Sequence, residues 1–100
     1  MAGIWQNHIT NPTPGSSTPL QLVPQRLGRR ALVVQNMSTT VDVYIGTSAV
    51  VAGPSNATNR GLCLKSNQTP PAVYADSSGN DALYAIAVSG TGDLCVNEIY

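Results

Sequence analysis

Residues 30–46 read RALVVQNMSTTVDVYIG, and this stretch decides the fold class. Ala31-Leu32-Val33-Val34-Gln35 is apolar at consecutive positions, the signature of a strand covered on both faces. Asn36-Met37-Ser38-Thr39-Thr40 follows as a cluster of turn formers. Val41-Asp42-Val43-Tyr44-Ile45 then alternates, with Val41, Val43 and Ile45 pointing one way and Asp42 and Tyr44 the other. Gly46 ends the run. Two β-rich runs joined by a short polar loop predict a hairpin. A slip of one residue would turn the three aliphatic side chains out to water, so the register with a neighbouring strand is fixed.

Toward the N-terminus the chain changes character. Pro12, Pro14 and Pro19, with Gly15 and the run Ser16-Ser17-Thr18, exclude a helix or an interior strand. The sequence therefore predicts an extended arm and linker over residues 1–19 and a folded domain over residues 20–100. The arm carries Ile4, Trp5 and Ile9. Either Trp5 folds back as a lid, or the three side chains dock on a neighbouring subunit, where Trp is favoured because it buries a large area at little entropic cost. Leu20-Gln21-Leu22-Val23-Pro24 alternates and then meets proline, which predicts an edge strand. Arg26, Arg29 and Arg30 form the basic cluster, either a solvated connection or a set of guanidiniums that pair with carboxylates across a protein interface.

Toward the C-terminus, short strands alternate with turn signals. Strands are expected at residues 48–52, 61–65 and 73–75, separated by polar, proline-containing loops. Ala82-Leu83-Tyr84-Ala85-Ile86-Ala87-Val88 is apolar on both faces and predicts a central strand; its alanines favour helix, but the glycine-rich turn after it and the lack of caps decide for strand. Leu94-Cys95-Val96-Asn97-Glu98-Ile99 is expected to form a hairpin with it. Seven to eight short strands with turns every 8–12 residues predict an all-β fold, a small antiparallel β-sandwich of jelly-roll or Greek-key type with an N-terminal arm.

The chain has 100 residues, enough for one modest core. Charged residues make up only 10% of it, and five basic side chains balance five acidic ones, so nothing attracts a polyanion at long range. Nucleic acid is not an expected partner. No signal peptide and no membrane span are read from the sequence, and synthesis and retention in a cytoplasm are expected. Cys63 and Cys95 have no metal-type spacing and sit among apolar residues, as small buried thiols do. No cofactor or metal is expected. His8 lies in the arm, without a frame for general base catalysis, and Asp76 and Asp81 flank a turn without calcium-loop spacing. No catalytic residue is assigned.

One resemblance emerges from the motifs in order: Arg29-Arg30-Ala31-Leu32-Val33-Val34-Gln35-Asn36, Val43-Tyr44-Ile45-Gly46, Gly61-Leu62-Cys63-Leu64 and Ala82-Leu83-Tyr84-Ala85-Ile86-Ala87. Over residues 29–99 the chain resembles small β-sandwich virion proteins of tailed bacteriophages. It departs from their pattern after Leu64, where a longer loop runs through Pro70 and Pro71. The resemblance implies a structural protein of the particle, of the head decoration (cement) type. It would bind the major capsid protein on the outside of the head as a homotrimer. Ile4, Trp5, Ile9, Arg26, Arg29 and Arg30 are the candidate partner-binding residues. A tail, baseplate or head–tail connector component is the second expectation, and a carbohydrate-binding module the third.

Overall fold

The all-β expectation holds in the computed structural model, which describes residues 7–53, 57–76 and 79–100. Eight strands follow one another: β1 (Asn7–Thr10), β2 (Leu20–Val23), β3 (Ala31–Asn36), β4 (Val43–Gly46), β5 (Leu62–Leu64), β6 (Val73–Asp76), β7 (Leu83–Ala87) and β8 (Leu94–Ile99). They form two four-stranded sheets, ordered β1-β8-β3-β6 and β2-β7-β4-β5, and every strand pairing within them is antiparallel. Leu32, Val34, Leu94 and Val96 of the first sheet meet Val23, Val43, Ile45, Leu64 and Ala85 of the second in one buried cluster. A fully buried valine such as Val34 or Val43 stabilises the fold by about 1.5–3 kcal/mol.

The decisive stretch does not form the expected hairpin. β3 lies in the first sheet and β4 in the second, so the chain arches across the core between them. Asn36 holds the arch. Its buried amide nitrogen donates to Val41 O at 3.0 Å and to Leu64 O at 2.7 Å, while its Oδ1 accepts from Ser38 N at 2.9 Å. These bonds satisfy backbone groups in the turn and at the end of β5. Ser38 Oγ accepts from Val41 N at 3.0 Å and completes the turn.

β7 and β8 also belong to different sheets, so the second expected hairpin is an arch as well. Here the N-terminal segment supplies the missing partners. Ala87 N donates to Gly15 O at 2.9 Å, Gly92 N to Pro14 O at 2.8 Å and Leu94 N to Pro12 O at 3.1 Å. Prolines suit this role, because only their carbonyls are needed. Pro14 is fully buried, and a Cβ on Gly92 would lie 2.7 Å from Val43 Cγ2.

The expected boundary after residue 19 is thereby corrected. Residues 7–10 are an edge strand paired with β8 from Asn7↔Ile99 to Thr10↔Val96, and residues 12–15 close one end between the sheets. Pro12 and Pro14 exclude helix, as the sequence indicated, but they do not detach the segment. β2 is an edge strand and β7 is paired on both sides, as expected. The strand expected at residues 48–52 is absent; Val51 makes a single isolated bridge to Arg60, and Val50 is buried from the outside of the second sheet.

Candidate interaction surface

The alternation of buried and half-buried residues along β3 and β8 gives the first sheet an inner and an outer face. Leu32, Val34, Leu94 and Val96 face the core. Register then places Ile9, Asn97, Val33 and Ala75 in one row across the outer face, with Ala31 beside Ile99 and Val73 beside Gln35 and Cys95 in flanking rows. None of these side chains is charged. Ile9 is 59% exposed and Val73 49%, so the rim of this face meets solvent. At its centre Asn97 Oδ1 is buried and accepts no hydrogen bond from the described residues. A buried acceptor left unpaired costs about 1–3 kcal/mol.

The outer face of the second sheet is arranged differently. Tyr44, Ile86, Cys63 and Tyr84 point outward there, and the loop after β4 folds back over them, burying Val50 against Tyr44 and Ile86. The Arg60 guanidinium lies 4.8 Å from the centre of the Tyr44 ring and donates to its hydroxyl. Gly61 permits this return, since a Cβ there would meet Ile45 O and come within 2.5 Å of Val50 Cγ2. Tyr44 is therefore buried, and no row of exposed aromatic rings is offered among the described residues of this face.

At the open edge between β1 and β2 lies an ionic cluster. Glu98 is buried, and its Oε2 accepts from Arg26 Nε and Arg29 Nε, each at 2.9 Å. Arg29 is buried too, and it also donates to Gly79 O, Asp81 O and Pro24 O. Arg26 stacks 3.7 Å over the Tyr100 ring, which meets His8 edge-on at 6.0 Å between ring centres. A cavity of about 200 Å³ lined by His8, Thr10, Arg26 and Glu98 opens here. A second, of about 260 Å³, lies beside Tyr74, Asp76 and Asp81. Burial, then the neighbouring Asp76 carboxylate, raises the Tyr74 hydroxyl above its ordinary value.

The candidate residues read from the sequence fare unequally. Ile4 and Trp5 lie outside the described residues. Ile9 sits on the outer face of the first sheet. Arg26 and Arg29 do pair with a carboxylate, but it is Glu98 of the same chain, which removes Arg29 from any surface role. Arg30 is exposed, and its backbone N–H donates to Ile99 O at 2.7 Å. Val33, Val73, Asn97 and Ile99 were not singled out, although the doubly apolar run around Val33 predicted a strand covered on both faces. Cys63 and Cys95 are unpaired and belong to different sheets. Among the described residues no group of His, Cys, Asp and Glu is placed to hold a metal ion, and no helix is long and apolar enough to cross a membrane. No protein-family model matches the chain, and no curated protein and no solved structure is detectably similar to it.

Proposed function

We propose that this chain is a non-enzymatic structural protein of a bacteriophage particle, a decoration (cement) protein that binds the outside of the head and holds major capsid subunits together. The observation that carries the reading is the uncharged, largely apolar outer face of β1-β8-β3-β6. A surface of this kind fits a protein that works by contact. The sequence motifs quoted above support the same reading independently of the surface.

The strand order supports a jelly-roll sandwich, in which successive strands cross between the two sheets except at β4 and β5, which are paired neighbours in one. Viral capsid and lectin domains both use this architecture, so the fold alone does not choose between them. The burial of Tyr44 beneath Arg60 and Val50 weighs against a carbohydrate-binding platform. The proposed partners are the major capsid protein and other copies of this chain, as a homotrimer, in the virion. Weak contacts made by several linked copies add to one strong attachment.

The copy number of the protein in purified particles tests the reading. Hundreds of copies per particle are expected. A dozen or fewer would assign it to the tail, baseplate or connector instead, and its absence from particles would overturn the proposal. Adding the purified protein to heads that lack it should restore their resistance to heat. A form lacking residues 1–6, which removes Ile4 and Trp5 without touching β1, should bind heads at least tenfold more weakly if those residues contact the capsid.

A further inference from the structure

We propose that the cavity at the open edge between β1 and β2 is a binding site for a single carboxylate group, with the Arg26 guanidinium as its receptor. The inference is independent of the reading above. It starts from two arginines that share one acid. Arg29 is buried, and its guanidinium is engaged by Glu98 Oε2 and by the carbonyls of Pro24, Gly79 and Asp81. Arg26 is held through Nε by the same carboxylate oxygen at 2.9 Å, and its central carbon lies 3.7 Å from the centre of the Tyr100 ring. Among the described residues no acceptor takes a hydrogen bond from its two terminal nitrogens, and its side chain is 31% exposed.

Charge, shape and size define the ligand. Glu98 already accepts from both arginines, and two guanidiniums against one carboxylate leave the cluster one positive charge, which attracts an anion. A guanidinium fixed by an ion pair and a ring presents a preorganised fork of N–H donors, the arrangement a carboxylate accepts in bidentate fashion. His8, opposite Glu98 in the strand register, and Thr10 add polar groups to the wall, while Val23 and Val96 supply an apolar floor. A phosphate group, with nearly two charges, calls for further cations, and among the described residues no lysine lines the cavity. Its volume of about 200 Å³ equals roughly six waters at about 30 Å³ each. That admits a carboxylate on a short carbon chain and excludes a nucleotide.

Two sources offer this chemistry, a free small carboxylic acid and an Asp or Glu side chain of a partner protein. β1 and β2 are both edge strands, so a peptide seated here finds unpaired backbone beside it. A free acid has only the cavity.

Titration of the isotope-labelled full chain with propionate, followed through the NMR resonances of Arg26 Nε–H and the backbone amides of His8 and Thr10, tests the site. Propionate should give a saturable shift, and propionamide, the same shape without the charge, should give none. Arg26→Gln and Arg26→Lys should each weaken propionate binding at least tenfold, the second because lysine keeps the charge but not the fork; Arg29 still pairs with Glu98 in both. Lys65→Gln, beside β5 at the far edge of the second sheet, should leave binding unchanged. An acetyl-Leu-Glu-Leu-amide peptide that binds at least tenfold tighter than propionate identifies a protein side chain as the source, and equal affinity identifies a free acid. The proposal is overturned by the absence of a saturable shift in the wild type, by equal shifts from propionamide, or by undiminished binding to folded Arg26→Gln. Tighter binding of inorganic phosphate than of propionate would overturn it too. Binding that emerges only after residues 1–6 are removed would make that segment the occupant, and the proposal would fail.

Discussion

The two sheets of this protein carry apolar residues on their outer faces, and the chain treats the two faces in opposite ways. Over β2-β7-β4-β5 it folds its own loop, so that Val50 and the Arg60 guanidinium shield Tyr44 and Ile86. Over β1-β8-β3-β6 Ile9 and Val73 stay exposed at the rim, and an asparagine oxygen lies buried and unpaired among the described residues. Apolar sheet surface is stabilised by a cover. The difference teaches that the chain shields one outer face with its own loop and leaves the rim of the other to solvent.

The largest effect should come from the arch that supports both faces. Asn36→Ala removes three hydrogen bonds and strands the carbonyls of Val41 and Leu64. It should destabilise the protein by about 3 kcal/mol, read as a lower urea midpoint with an unchanged slope. Next comes the built-in cover. Val50 is 1% exposed, so Val50→Ala should cost about 2 kcal/mol. An equal loss from Val33→Ala in the dilute protein would erase the contrast between the faces; we expect about 0.5 kcal/mol there, because Val33 is only half-buried in a single copy.

A third change separates the sheets by pH. Asp42 accepts from Ser66 N at 2.8 Å and from Ser66 Oγ at 2.9 Å, tying the arch to the loop after β5. The Ser66 backbone and hydroxyl hydrogen bonds, with smaller help from Lys65, hold this carboxyl below its usual 3.8 against a weak opposing effect of burial. A depressed carboxyl stabilises the fold fully above its unfolded value and ceases to do so as pH falls through the folded value. Asp42→Asn should therefore cost about 1 kcal/mol at pH 7. The gap from wild type should narrow as the pH falls through the ordinary carboxyl value of 3.8 and below it. Urea melts over a series of pH values from 7 downward measure it.

Much of this was legible in the sequence, and the reasons for the exceptions are physical. Alternation and turn chemistry are local, so the runs that became β3, β4, β5, β7 and β8 could be found from their own residues. Which strands share a sheet is not local. Asn36 decides between hairpin and arch by reaching Leu64, 28 positions on, and Pro14 serves Gly92 at the other end of the chain. The arginine cluster was visible, but its partner Glu98 stands 69 positions from Arg29; an interface carboxylate and an internal one look alike until the chain is folded. Asn97 gave no signal, since a polar residue flanked by Val96 and Glu98 in a strand reads as an ordinary solvated position.

Two unpaired thiols allow the contrast between the faces to be tested in one measurement, because Cys95 lies on the outer face of the first sheet and Cys63 under the built-in cover of the second. The rates at which a small alkylating reagent modifies each are compared in the wild type and in Val50→Ala, which thins that cover. The account predicts that Cys63 reacts several-fold faster in the variant while Cys95 keeps its rate. Equal acceleration of both thiols, or of neither, would contradict it.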